Sequence, residues 1–177
     1  MKLLTAFLLT TLALCLAVAG ESDSKTGADT KTRNERVERL FASMRDGTYK
    51  GDLTFPELKW EDIPALLERG KSTTRLKSFP SNWLSSYVQD GAEEGTVALW
   101  LIDGLRRGGK WPSLNPLCLG REKPGEKMEE TSRRNLPTAR KAFEVWWQKV
   151  EKLKPQEAAE IRPLDGTTLR WYGEAPR

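Results

Sequence analysis

The segment Thr96 to Arg107 constrains this chain more than any other, because every side chain from Val97 to Ile102 is apolar. A helix built on it is apolar on nearly all sides of its first two turns, and such a helix belongs at the centre of a fold. A strand over Val97–Ile102 is the competing assignment, but no sister strand is evident to pair with it. Gly108-Gly109 closes the helix, as glycine does where the chain must leave a helix end. Asp103 lies inside this apolar stretch and needs a partner. Arg106 and Arg107, three and four residues on, are in reach along a helix, so a structural ion pair is expected ahead of a catalytic acid.

Other helical patterns surround that segment. Thr32 and Glu35 have the spacing of a capping box, and Val37, Leu40, Phe41 and Met44 follow on one stripe, which predicts an amphipathic helix over 33–46. Glu61-Asp62, Pro64 and Gly70 bracket a short helix at 63–69. Ala139, Ala142, Phe143, Trp146, Val150 and Leu153 share a face, predicting a long helix from Pro137 to Lys154, and residues 155–161 add a short one. Residues 71–90 read as loop with one turn near Ser81–Val88, and residues 111–130 as loop. Residues 164–172, with a turn at Asp165-Gly166, read as an extended tail packed on the body. The fold class expected is mainly α: a single compact domain over residues 32–177, with four to five helices and long loops.

The first 19 residues read as an address. Lys2 precedes an almost wholly apolar run from Leu3 to Leu16, and Ala17-Val18-Ala19 has the small-x-small form read by signal peptidase. The run is too short for a membrane span, and no spanning segment is expected after cleavage. Cys15 sits in a sequence like a lipobox, but Leu14 stands where a small residue belongs, so ordinary cleavage after Ala19 is favoured over a lipid anchor. Residues 20–31 have the composition of a flexible tether. The expected location is periplasmic or extracellular.

Composition removes several chemistries. The chain has no histidine, which excludes a Ser-His-Asp triad, a Cys-His pair and imidazole metal ligands. Cleavage leaves Cys118 as the one cysteine; it is flanked by Leu117 and Leu119 and reads as a buried apolar residue. A net charge of +4 is too small to argue for nucleic acid. Gly104 to Lys110 spells G-x-x-x-x-G-K, but Trp111 stands where a phosphate loop needs Ser or Thr, and Gly104 lies within a helix. Adjacent acidic pairs such as Glu93-Glu94 and Glu129-Glu130 suit helix starts or solvated surface better than glycoside hydrolysis. No cofactor and no metal are expected, and the balance is against an enzyme.

Seven tryptophans are the one unusual abundance. Trp100 and Trp146 belong to the core, and Trp147, about 100° round the helix from Trp146, is expected to pack under the C-terminal tail. Trp111 lies between a basic turn and a proline-bounded loop. With Arg106, Arg107, Lys110 and Asn115 it forms the candidate binding set, because aromatic faces beside cations suit glycans.

One resemblance adds to this reading. It is carried by Trp60-Glu-Asp-Ile-Pro-Ala-Leu-Leu67, Ser78-Phe-Pro80, Leu84-Ser-Ser-Tyr87 and Ala98-Leu-Trp-Leu-Ile-Asp-Gly-Leu105. Arg106-Arg107, Pro112-Ser-Leu-Asn-Pro116, Phe143-x-x-Trp146-Trp147 and Leu164-Asp-Gly-x-x-Leu-x-Trp171 complete it. Over residues 37–172 the chain is similar to a family of exported bacterial proteins classed as a domain of unknown function. The resemblance implies a leader and a small helical domain with degenerate HEAT-like helix pairing, and it implies no catalytic residues. The function expected is a non-enzymatic interaction module of the bacterial envelope, docking an unidentified protein through a groove between helices. A glycan- or cell-wall-binding domain using Trp111 is the first alternative, and a histidine-free, carboxylate-based hydrolase the second. No oligomeric state follows from the sequence.

Overall fold

The computed structural model describes residues 23–51, 54–80, 91–120 and 123–174. The leader expected over residues 1–19, with Cys15, and the turn expected near Ser81–Val88 lie outside these residues. The described residues from Arg33 onward form one compact unit. Five α-helices occur among the described residues: α1 (Asp23–Asp46), α2 (Ile63–Arg69), α3 (Glu94–Arg106), α4 (Met128–Val150) and α5 (Pro155–Ala158). A 3-10 turn at Trp60–Asp62 leads into α2. Two two-residue strands, β1 (Cys118–Leu119) and β2 (Arg170–Trp171), pair antiparallel with Cys118 opposite Trp171.

Helix α3 sits at the centre, as its all-round apolarity requires. All its residues except Leu105 are buried. Val37, Phe41 and Met44 of α1, Ile63, Leu66 and Leu67 of α2, and Leu136, Ala139, Phe143, Trp146 and Val150 of α4 belong to the same core. The end of α3 explains the glycine pair. Gly108 donates to the Leu105 carbonyl at 2.9 Å and Gly109 to the Gly104 carbonyl at 2.9 Å, with φ of 73° and 80°. That is the bonding of a left-handed helix stop, which a side chain would strain. Gly104 itself faces Phe55, whose ring would lie 2.2 Å from an added Cβ. The G-x-x-x-x-G-K letters therefore close a helix and do not cradle a phosphate.

Three expectations need correction. The long C-terminal helix starts at Met128, nine residues before Pro137, which lies inside it. Proline removes one backbone donor and crowds the carbonyl four residues back. Pro137 is exposed, while Leu136 and Ala139 beside it carry the buried face onward. The same finding shortens the expected loop at 111–130, which is further interrupted by β1. Residues 23–31, read as a tether, are helical, since α1 begins at Asp23.

The tail does pack back. Tyr172 N–H donates to the Leu117 carbonyl at 2.9 Å, and β2 covers β1. β1 is held to α4 on its other side: the Cys118 N–H donates to Ser132 Oγ at 3.0 Å, and Asn135 Nδ2 donates to the Cys118 carbonyl at 3.1 Å. Burial pushes the Cys118 thiol up to about 12, with the Glu174 carboxylate adding to the effect. At neutral pH it is a protonated, enclosed thiol. Trp147 packs against Trp60, ring centres 5.5 Å apart, so the segment before α2 supplies cover for it.

Candidate functional site

Buried carboxylates come first, because an enzyme reading depends on them. Each has arginine partners. Asp62 receives a two-pronged contact from Arg36, at 2.9 Å and 2.7 Å, which raises the guanidinium pKa. Glu94, at the start of α3, accepts from Arg45 at 3.1 Å and Arg69 at 3.2 Å, and both arginines also hold Glu38. Asp103, near the other end of α3, accepts from Arg106 at 2.6 Å, from Arg107 at 3.1 Å and from the Trp171 indole at 3.2 Å. These are closed, saturated contacts that tie α3 to α1 and α2 at one end and to the tail at the other.

Two further carboxylates, Glu93 and Glu129, line one cleft with Arg75 and Arg133. Arg133 Nε reaches Glu93 Oε1 at 2.5 Å, while Glu93 Oε2 is buried without a hydrogen bond among the described residues. The cleft holds about 20 Å³. One water needs roughly 10–15 Å³ by this measure, so a sugar ring does not enter. No group of three or more acidic or cysteine side chains suited to a metal occurs among the described residues.

The expected binding set is distributed as follows. Arg106 is buried, bonded to Asp103 and to the Ala159 carbonyl. Arg107 bridges Asp103 and Glu174 at 3.0 Å and 2.8 Å. Burial opposes its charge, but those two carboxylates outweigh it and raise its pKa. Lys110 is exposed. Trp111 is half-buried, stacked on Trp100 with centres 4.8 Å apart and planes 17° apart, and tilted against Phe55 at 5.0 Å. Asn115 is fully buried, with neither atom of its amide group hydrogen-bonded among the described residues. Two of the three cations are thus spent within the fold, and one face of Trp111 is covered by Trp100.

A different surface has the form of a recognition site, and none of its residues is in the binding set expected from sequence. One face of α4 carries Lys141, Val145 and Lys149, four residues apart in sequence, and it faces Ile161, Arg162 and Pro163 across a groove of about 350 Å³. That volume is at the low end of the roughly 300–1,000 Å³ usual for ligand pockets. Trp146 contributes to the lining, and its indole donates to the Ile161 carbonyl at 2.7 Å, holding the segment after α5 against the helix. Val145 is 42 % exposed and Ile161 39 %. Large apolar side chains left bare next to each other mark interaction sites more often than single ones do. The sequence signal was Val145 itself, an apolar residue on α4 outside the buried stripe.

A compact helical domain, locked internally by arginine–carboxylate contacts and carrying an open groove, is the class these observations define. Residues 31–172 match the model of a family described as Domain of unknown function (DUF4943), and the chain belongs to that family. No curated protein and no solved structure matches the chain. The matched span includes both walls of the groove.

Proposed function

We propose that the protein is an exported, non-enzymatic interaction module of the bacterial cell envelope that holds a protein partner in the groove between α4 and residues 161–167. The observation that carries this reading is the pairing of Val145 and Ile161, both exposed, across an open groove of about 350 Å³. The leader-like Met1–Ala19 supports export, and no helix among the described residues is long and apolar enough to cross a membrane. The glycan reading at Trp111 has weaker support, because Arg106 and Arg107 are committed to Asp103 and Trp111 stacks on Trp100. The hydrolase reading has weaker support still, since every fully buried carboxylate described carries an arginine partner.

Export is tested by the intact mass of the protein recovered from the producing cells, which should begin at Gly20; retention of Met1 would count against it. Docking is tested by placing a photo-crosslinking amino acid at Val145 in those cells, with Leu114, itself 49 % exposed, as the comparison position. A discrete adduct from position 145 and none from 114 is the expected result. Equal yields from both positions would remove the groove as the docking site.

A further inference from the structure

We infer that the occupant of this groove is an acidic, amphipathic segment of a partner protein, with bulky apolar side chains seated against Val145 and Ile161 and carboxylates meeting Lys141, Lys149 and Arg162. The inference rests on the interaction-module reading and adds the chemistry of the partner to it. Charge is the first argument. Lys141, Lys149 and Arg162 all line the groove, and none has an ion pair or side-chain hydrogen bond with a described residue. Asp165 is the one carboxylate in the lining among the described residues. Arg162 differs in this from most arginines on the rest of the domain, which hold a carboxylate. A basic rim around an apolar floor attracts a ligand that is apolar in the middle and negative at its edges.

Spacing is the second argument, and it suits a helical peptide. Lys141 and Lys149 are eight residues apart on a continuous helix, so their Cα atoms are about 12 Å apart along its axis. Two acidic residues separated by two turns of a helix match that separation, and apolar residues at the intervening i+3 and i+4 positions would then lie over Val145.

The test uses the full chain and three fluorescein-labelled 16-residue helical peptides. The first carries two glutamates eight apart with leucines between them, the second has lysines in place of the glutamates, and the third has serines in place of the leucines. Anisotropy at low salt should show saturable binding of the first peptide and binding at least about tenfold weaker for the other two. Val145→Asp should weaken the first peptide at least about tenfold. Lys141→Glu with Lys149→Glu should reverse the preference, binding the lysine peptide better than the glutamate one. That reversal is a gain of binding, which misfolding cannot produce. Equal binding of the glutamate and lysine peptides, or no reversal in the double variant, overturns the inference. So does binding of the full chain to phosphatidylglycerol vesicles that Val145→Asp abolishes, or self-association in sedimentation that the same substitution abolishes. An adduct at position 145 in cells together with failed peptide discrimination leaves the docking reading standing and this inference refuted; absence of both refutes the two together.

Discussion

Basic side chains are used in opposite ways at the two ends of α3 and on the outer face of α4. Around α3, Arg45 and Arg69 close on Glu94, and Arg106 and Arg107 close on Asp103. Along the groove, Lys141, Lys149 and Arg162 stand without such partners among the described residues. The difference teaches where to look for function in a chain whose charges are otherwise unremarkable in number. A cation neutralised inside the fold contributes to its geometry, and a buried pair resists separation because the orphaned charge would be left in a poor solvent. A cation with no internal partner beside exposed apolar residues has its electrostatic field directed outward.

The sharpest way to break this comparison is Asp103→Ala. It would leave Arg106 buried without its carboxylate and remove the acceptor of the Trp171 indole, so we expect a loss of about 3–5 kcal/mol in urea unfolding. A loss under about 1 kcal/mol would mean the cluster is not a lock. Glu94→Gln should cost less, about 1–3 kcal/mol, because Arg45 and Arg69 are partly exposed and can turn to water or to Glu38. Measuring both variants in the same denaturant series ranks the two ends of α3.

A pH experiment sharpens the interior side of the comparison. The Cys118 thiol is raised from about 9 to about 12, so the folded state binds its proton more tightly than the unfolded chain does. Its contribution to stability is complete below about pH 9 and is lost as pH rises toward 12. Urea midpoints should therefore fall over that window in the native protein and fall less in Cys118→Ala. Alkylation of Cys118 at pH 8 should proceed only at the rate of unfolding. The smallest stability effect belongs to the groove: Lys141→Glu with Lys149→Glu should change unfolding free energy by no more than about 0.5 kcal/mol, since neither lysine has a partner to lose.

Much of the fold was legible, and the reasons are local. Helix α3 followed from six consecutive apolar residues and two glycines; α2 followed from its acidic start, its proline and Gly70. The link from Asp103 to Arg106 and Arg107 followed from spacing of three and four. The start of α4 was missed because Pro137 outweighed the acidic Glu129 and Glu130, although these mark a helix start and the Lys127 N–H does bond the Glu130 carboxylate at 3.3 Å. An exposed proline is tolerated there because the buried stripe passes it by. Trp147 was correctly set off the main face, but its partner Trp60 lies 87 residues earlier, and no local pattern connects them. The groove was invisible for the same reason. It exists only when residues 161–167 lie against α4, held by one indole hydrogen bond to the Ile161 carbonyl. The contacts of Asp103 with Trp171 and of Arg107 with Glu174 are likewise products of the tail returning to the end of α3.

The central claim is that the α4 groove, and not the arginine-rich end of α3, is the surface that meets a partner, and that its cations do the selecting. The most direct measurement is the yield of photo-crosslinked adduct from position 145 in cells, with and without Lys141→Glu and Lys149→Glu. We expect the yield to fall at least about fivefold in the charge-reversed chain while its cellular level stays the same. An unchanged yield would contradict the account.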